Sequence, residues 1–311
     1  MQHSSPGMDL LAGAVDCHVH ACPHINSRRL DVFEAVRQAA AAGMAGIGLM
    51  DNFANSSGYA ALAQRELGSL GVDIWGGLIM EPPAGGINAE AVHIALKYGY
   101  GDGGGARFIS MPTHHTRHVA RQEGRSPAYV DACFELPARG APSDPLPKIL
   151  DLIAEHDAVF NLGHLSDEES VRLAEFAQSR GVRRLLVPAN HAAMPALHAL
   201  VRLGAHLEFS FFFISPAATV GLTHVDAEKH TIAATSVADM AARIAMVPSN
   251  QLVLSSDSGV ALLAPPVESL RMFLMLLRSA GVSDAQLRKG VRDNPAALFG
   301  IRQSLSEEQA P

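Results

Sequence analysis

The chain has 311 residues, 24 lysines and arginines against 31 aspartates and glutamates, and a formal charge of −7 with 48% hydrophobic residues. This balance excludes a nucleic-acid partner, which needs a basic surface, and the low charged fraction excludes extensive disorder. Three cysteines, Cys17, Cys22 and Cys133, are too few to staple a chain of this length and fit a reducing compartment.

Residues 1–14 lack a basic start, and Leu10, Leu11 and Ala12 form too short an apolar piece for a secretory segment. No stretch reaches the roughly 18 apolar residues of a membrane span. The expectation is therefore a cytoplasmic protein with no membrane partner.

In chain order, short apolar runs suited to buried parallel strands fall at residues 14–20, 45–51, 72–80, 107–111, 158–163, 184–188, 206–213 and 251–256. Helical patterns lie between them at residues 28–42, 59–70, 89–98, 146–156, 167–180, 194–203 and 237–246, and residues 266–280 follow the last run. Gly43, Gly71, Gly181, Gly204 and Gly281 mark helix-to-strand returns. Ser166 precedes Glu169 at capping-box spacing. Eight strand–helix units describe an α/β fold, a (β/α)8 TIM barrel filling residues 1–311 as a single domain. A doubly wound sheet would need a glycine-rich phosphate turn opening a helix after an early strand. The glycine cluster at 101–105 precedes a strand and reads as a loop. Residues 112–147, after strand four, form a long irregular insertion of the kind used as a lid or binding element. Residues 303–311 read as a polar tail that frays.

The sharpest local signal is Asp16-Cys17-His18-Val19-His20. Alternation on a strand puts His18 and His20 on one face and turns Cys17 to the other, away from the pair. Two imidazoles so spaced can grip one metal ion, although such pairs also arise by chance on exposed strands. His164 ends strand five, His191 follows strand six and Asp257 closes strand eight. All five lie at strand C-termini, where barrel enzymes build their sites, and the set suits a divalent transition metal such as zinc.

With these residues in place, the chain resembles the amidohydrolase superfamily of metal-dependent hydrolases, and within it a little-characterised branch. The likeness runs from Val15 to about Gly300 and includes Asp293-Asn294-Pro295-Ala296 after the last unit. It implies that His18, His20 and Asp257 hold the more buried metal. His164 and His191 would hold a second ion, or His164 would complete a one-metal site while His191 orients substrate. It also implies that Asp257 takes the proton from metal-bound water attacking a small-molecule amide, lactam, ester, lactone or phosphoester. Bound zinc lowers the pKa of its water toward about 7. Two-metal relatives commonly add a carboxylated lysine at the end of strand four. The four lysines here, Lys97, Lys148, Lys229 and Lys289, fall in helices, in a loop or after the barrel. The expectation leans to one firmly bound metal, with a second ion open. Two alternatives stand beside the hydrolase: a one-zinc decarboxylase of the same superfamily, and a binding protein that has lost turnover.

Glu81, just after strand three, is the remaining candidate for a metal bridge, or else a solvated loop acid. His114, His115 and Arg117, with His118, Arg121 and Arg125, open the insertion and suit an anionic substrate, or an exposed polar loop. Glu208 interrupts an apolar strand and needs a partner if buried, which makes it a support for the site or a substrate group; alternation could equally turn it outward. His24, His93, His156, His198, His206, His224 and His230 read as surface or helix residues. No nucleophile elbow supports a serine triad. Barrels of this type often self-associate, so a homo-oligomer is expected.

Overall fold

In the computed structural model, which describes residues 6–101, 104–220, 222–223, 229–230 and 232–301, the eight expected strands form one parallel sheet. They are β1 Val15–Val19, β2 Gly46–Leu49, β3 Asp73–Ile79, β4 Phe108–Ser110, β5 Val159–Asn161, β6 Leu185–Pro188, β7 His206–Ser210 and β8 Leu252–Ser255. Strand order follows chain order from β1 to β8. The sheet closes where Val19 bridges Ser258 in parallel and His20 N donates to Ser258 O at 2.9 Å. The strands are nearly all buried because helices cover them outside and side chains fill them inside. The inner filling is a cluster of Val15, Cys17, Met50, Trp75, Ile79, Phe108, Val159, Leu186 and Val253. Phe299 packs on Trp75 with ring centres 5.1 Å apart, and Arg107 pairs with Asp73 at 2.8 Å, so the N-terminal end of the barrel is shut.

The helices begin where capping chemistry directs. Asp31 Oδ1 accepts from Glu34 N at 2.8 Å, and Ser166 and Glu169 form the expected reciprocal box at the start of Asp167–Ser179. Among the described residues, no helix is long and apolar enough to cross a membrane.

Four expectations change. β1 carries a bulge: Asp16 pairs with Ile47 and Val19 with Leu49, so three steps on β1 face two on β2. Simple alternation fails there, and Cys17 packs into the barrel interior with Val15 rather than turning away from it. β7 stops at Ser210 and passes into a 3-10 turn, Phe211–Ile214, whose three phenylalanines are buried. Lys229 is not in a loop; its backbone forms a two-residue antiparallel ladder, Lys229–His230 with Leu222–Thr223. The insertion is not irregular, since it folds into helices Arg117–Gln122 and Pro127–Ala132. The tail at 303–311, His224, and residues 102 and 103 of the glycine cluster lie outside the described residues.

Glu81 organises the insertion. It is 1% exposed, and its carboxylate accepts from Thr113 N at 2.6 Å, Thr113 Oγ1 at 3.0 Å and His114 N at 2.6 Å. It also accepts from His115 N at 3.2 Å and His115 Nδ1 at 2.8 Å. Burial raises this carboxyl, but His115 and the backbone donors of His114 and Thr113 outweigh it and hold the group below the usual carboxylate range. Because the folded value is depressed, its stabilising contribution is present above the unfolded value and lost as pH falls through the folded one. Glu81→Ala should therefore cost about 3 kcal/mol in urea denaturation at pH 7. It should also remove part of the stability that the wild type loses on acidification below about pH 4.5. Equal stability of the two proteins at pH 7 would refute the anchoring role.

Candidate metal centre

The mouth of the barrel gathers side chains from its first and last strands. The bulge in β1 sets His18 and His20 toward the mouth, with ring centres 5.3 Å apart. Asp257, just past β8, adopts φ 45°, a left-handed backbone that aspartate tolerates better than most residues and that costs roughly 1–3 kcal/mol. Gly259 follows at φ 149°, and a Cβ there would lie 1.8 Å from His20 O. Only glycine lets the β8 loop press this closely on β1.

As a result, Asp257 Oδ1 lies 3.2 Å from His18 Nε2 and 3.4 Å from His20 Nε2. These three residues are the group among those described whose ligand atoms all fall within 4.8 Å of one another. His18 and His20 are only 8% and 9% exposed.

Glu208 fixes the chemistry of His18. It is fully buried on β7 and accepts from His18 Nδ1 at 3.0 Å. Ser255 Oγ donates to the same oxygen at 2.6 Å, which leaves Ser210 Oγ to donate to Ser255 Oγ at 2.8 Å. With its Nδ1 proton committed to Glu208, His18 turns Nε2 toward Asp257. Burial lowers the His18 imidazole, but Asp257 and Glu208 outweigh it and hold it up at about 9. His20, lowered mainly by burial and also by Arg28 and His18, stands at about 4. Burial raises Asp257, yet His18, His20 and His164 hold it well below the usual carboxylate range. A carboxylate and two imidazole nitrogens facing one another need a cation or a shared proton between them. The donor set therefore fits a divalent ion held by His18, His20 and Asp257, with Glu208 orienting a ligand as carboxylates commonly do for metal-bound histidine.

His164 lines the same pocket, and its main chain is tied to the insertion: its N donates to Pro112 O at 3.1 Å and its O accepts from Thr116 Oγ1 at 2.8 Å. Burial lowers this imidazole, so it is neutral at physiological pH. His191 is not brought to the site. It is exposed and opens into a neighbouring cavity, and the Phe213 ring meets both histidines edge-on, 6.2 Å from His164 and 5.3 Å from His191. Glu81 is neither a bridge nor a solvated acid, because five insertion donors occupy its two oxygens. His115 is committed to that anchor, and Arg117 pairs with Glu135 at 2.7 Å within the insertion; neither lines the metal pocket, whereas His114 does. Lys97 and Lys148 lie in helices and Lys289 opens a helical turn after the barrel, so none of these three ends a barrel strand.

Two pocket residues escape the sequence reading. Arg28, in the loop after β1, and Asn52, just past β2, line the cavity with His18, His20 and Asp257. Asn52 stands at a strand C-terminus and was findable by the rule that picks out Asp257; Arg28 follows His20 at no distinctive spacing. The metal pocket has a volume of about 70 Å³, beside a cavity of about 740 Å³ that shares His164, Phe213 and Ile232 as its wall. The insertion supplies Thr113 and His114 to the first and His118, Val119, Gln122 and Glu123 to the second.

Residues 13–208 match the family of unknown function DUF6282, and the chain belongs to that family. No curated protein matches the sequence. Similar solved structures include an organophosphorus hydrolase from Deinococcus radiodurans, 14% identical over 86% of this chain and 82% of that one, TM-score 0.56. A Pseudomonas aeruginosa amidohydrolase is 10% identical over 95% of this chain and 98% of that one, TM-score 0.56. A Pseudomonas putida protein provisionally named a 2-pyrone-4,6-dicarboxylic acid hydrolase is 13% identical over 94% and 99%, TM-score 0.57. At these identities the likeness is one of barrel fold.

Metal titration of single variants tests the ligand set. His18→Ala and His20→Ala should each weaken zinc binding at least about a hundredfold, and Glu208→Gln about ten- to a hundredfold. His191→Ala should stay within about twofold of wild type, since its ring faces the other cavity. A large loss in His191→Ala with little in His18→Ala would overturn the assignment.

Proposed function

We propose that this member of the DUF6282 family is a metal-dependent hydrolase of the amidohydrolase type, acting on a small-molecule amide, lactam, ester, lactone or phosphoester. The observation that carries the reading is the convergence of His18 Nε2, His20 Nε2 and Asp257 Oδ1 at the open end of the barrel. The shared fold with proteins named organophosphorus hydrolase and amidohydrolase supports the reaction class.

His18, His20 and Asp257 would hold a divalent ion, zinc by the preference of two imidazoles and a carboxylate, and that ion would supply water activation and polarisation of the bond to be cleaved. The chain's own residues do the rest. Asp257, lying against both histidines, is the group placed to accept the proton of the attacking water and return it to the leaving group. Glu208 keeps the His18 tautomer correct through Nδ1. His164, neutral and on the pocket wall, faces the reacting group as a hydrogen-bond partner or further ligand. The small pocket takes the scissile bond, and the larger cavity beyond Phe213 takes the remainder of the molecule. Phe212, Phe213 and Val260 supply apolar walls that limit bulk water near the reacting atoms.

A decarboxylase reading of the same centre draws on the compact three-residue group, which is built for one ion. Labelled water separates the two: a hydrolase places solvent oxygen in the product, and a lyase releases carbon dioxide without doing so. Protein purified without chelator should carry close to one equivalent of transition metal and hydrolyse members of a panel covering the five bond types. Asp257→Asn should lower kcat at least about a hundredfold without unfolding the chain. Less than about a tenth of an equivalent of metal, with none taken up on addition, would sink the reading.

A further inference from the structure

The metal pocket contains a second feature that the hydrolytic chemistry leaves unused. Arg28 reaches the cavity from the loop after β1, and its backbone is pinned beside Asp257. Arg28 bridges Val260, and Arg29 N donates to Gly259 O at 2.7 Å. A guanidinium carries five N–H groups. Among the described residues, that of Arg28 makes one hydrogen bond, from Nη2 to His24 Nε2 at 2.7 Å. Its Nε is buried with no partner. No carboxylate among the described residues lies within ion-pair distance of it. The two acids that act on it electrostatically, Asp51 and Asp257, have their oxygens directed elsewhere. Asp51 accepts from Phe53 N at 2.8 Å and Tyr59 OH at 3.3 Å, and Asp257 is turned to the histidines.

Asn52 lines the same cavity and is 7% exposed, and no hydrogen bond reaches its side-chain amide among the described residues. A buried guanidinium nitrogen with no partner is costly to maintain unless a ligand completes it, and the Asn52 amide, free of hydrogen bonds among the described residues, stands on the wall of the same small cavity. The partner they lack is an oxyanion. Arginine presents paired donors in a plane, the complement of a carboxylate, and an amide N–H₂ adds a further donor. The cavity, about 70 Å³, is small and must also admit the reacting bond. A flat carboxylate matches the planar guanidinium edge with less bulk than a tetrahedral phosphoryl group.

The geometry points to Arg28 and Asn52 as the seat of a substrate carboxylate, so the substrate is a small carboxylic acid whose hydrolysable bond lies close to that carboxylate. This rests on the hydrolase reading and narrows it. Of the bond types open to the metal centre, those of neutral esters and amides become poor substrates, and those of amino- or lactone-acids become good ones.

Calorimetric binding of malonate and succinate, each compared with its diamide and with inorganic phosphate, tests the inference on zinc-loaded and metal-free protein. Zinc-loaded wild type should bind a dicarboxylate at least tenfold more tightly than its diamide. Arg28→Met should lose at least tenfold of that affinity while zinc content stays at wild-type level. Arg28→Lys should fall between, and Asn52→Leu should lose about threefold or more. If Arg28→Met fails to fold, Arg28→Lys and Asn52→Leu decide the matter alone. Unchanged dicarboxylate affinity in folded, zinc-loaded variants overturns the assignment, as does binding of phosphate in preference to both dicarboxylates. Should the wild type take up no zinc, the hydrolase reading fails separately, and the dependence of dicarboxylate binding on Arg28 is then read on the metal-free protein.

Discussion

The structure at the barrel mouth depends on one imidazole held between two carboxylates. His18 gives its Nδ1 proton to Glu208 and faces Asp257 with Nε2, at 3.0 and 3.2 Å. Stability alone would put an apolar side chain at the position of Glu208 and a glycine at that of Asp257. Glu208 is fully buried, and its second oxygen has no partner; Asp257 holds a left-handed backbone. Removing a carboxylate from water costs several kcal/mol unless charge and hydrogen bonds compensate it. The compensation here is local: Ser255 and Ser210 form a relay into Glu208, and the histidines face Asp257. A barrel seam built for stability would have no use for such an arrangement, whereas one built to hold a cation would.

The same seam explains why β1 is bulged and why glycine stands at 259. For His18 and His20 to reach the mouth while Val15 and Cys17 fill the interior, β1 must gain one residue against β2. For Asp257 to meet both rings, the loop after β8 must lie on His20 so closely that any side chain at 259 would collide with its carbonyl. The insertion after β4 is fixed independently, through the donors that converge on Glu81, and it contributes walls to both cavities. Ligand geometry and cavity shape thus rest on separate carboxylates, so the insertion can vary without disturbing the histidines.

How much of this was legible in the sequence follows from the physics of each part. The eight strands were readable because parallel strands buried on both faces appear as short continuous apolar runs. Their C-terminal ends then marked His18, His20 and Asp257. The bulge was not readable, since nothing in Asp16-Cys17-His18 distinguishes a regular pleat from one with an inserted residue, and Cys17 was turned the wrong way. His191 occupies the expected chain position, but where its ring points is decided by Phe213, a tertiary neighbour that the strand pattern placed in β7. The role of Glu81 is not legible because its donors are mostly backbone N–H groups, which every residue but proline carries. Arg28 left no trace at all: what distinguishes it is the scarcity of its partners, a property of the fold rather than of the residue.

The mouth is also electrically polarised, and that constrains how any molecule can enter it. Glu208 and Asp257 lie on the β7–β8 side, around the nitrogen ligands, and call for positive charge. Arg28 and Asn52 approach from the β1 loop and the end of β2, and call for negative charge or an acceptor. A cation at the histidines satisfies the first demand and leaves the second untouched, because Arg28 then loses much of the attraction of Asp257. Metal loading should therefore strengthen, rather than replace, the need for an anion beside it. A molecule that offers a carboxylate to Arg28 leaves its neighbouring bond toward Asp257 and the histidines, with its bulk directed past Phe213 into the larger cavity. The reversed orientation would leave Arg28 unpaired, so the guanidinium favours the productive one.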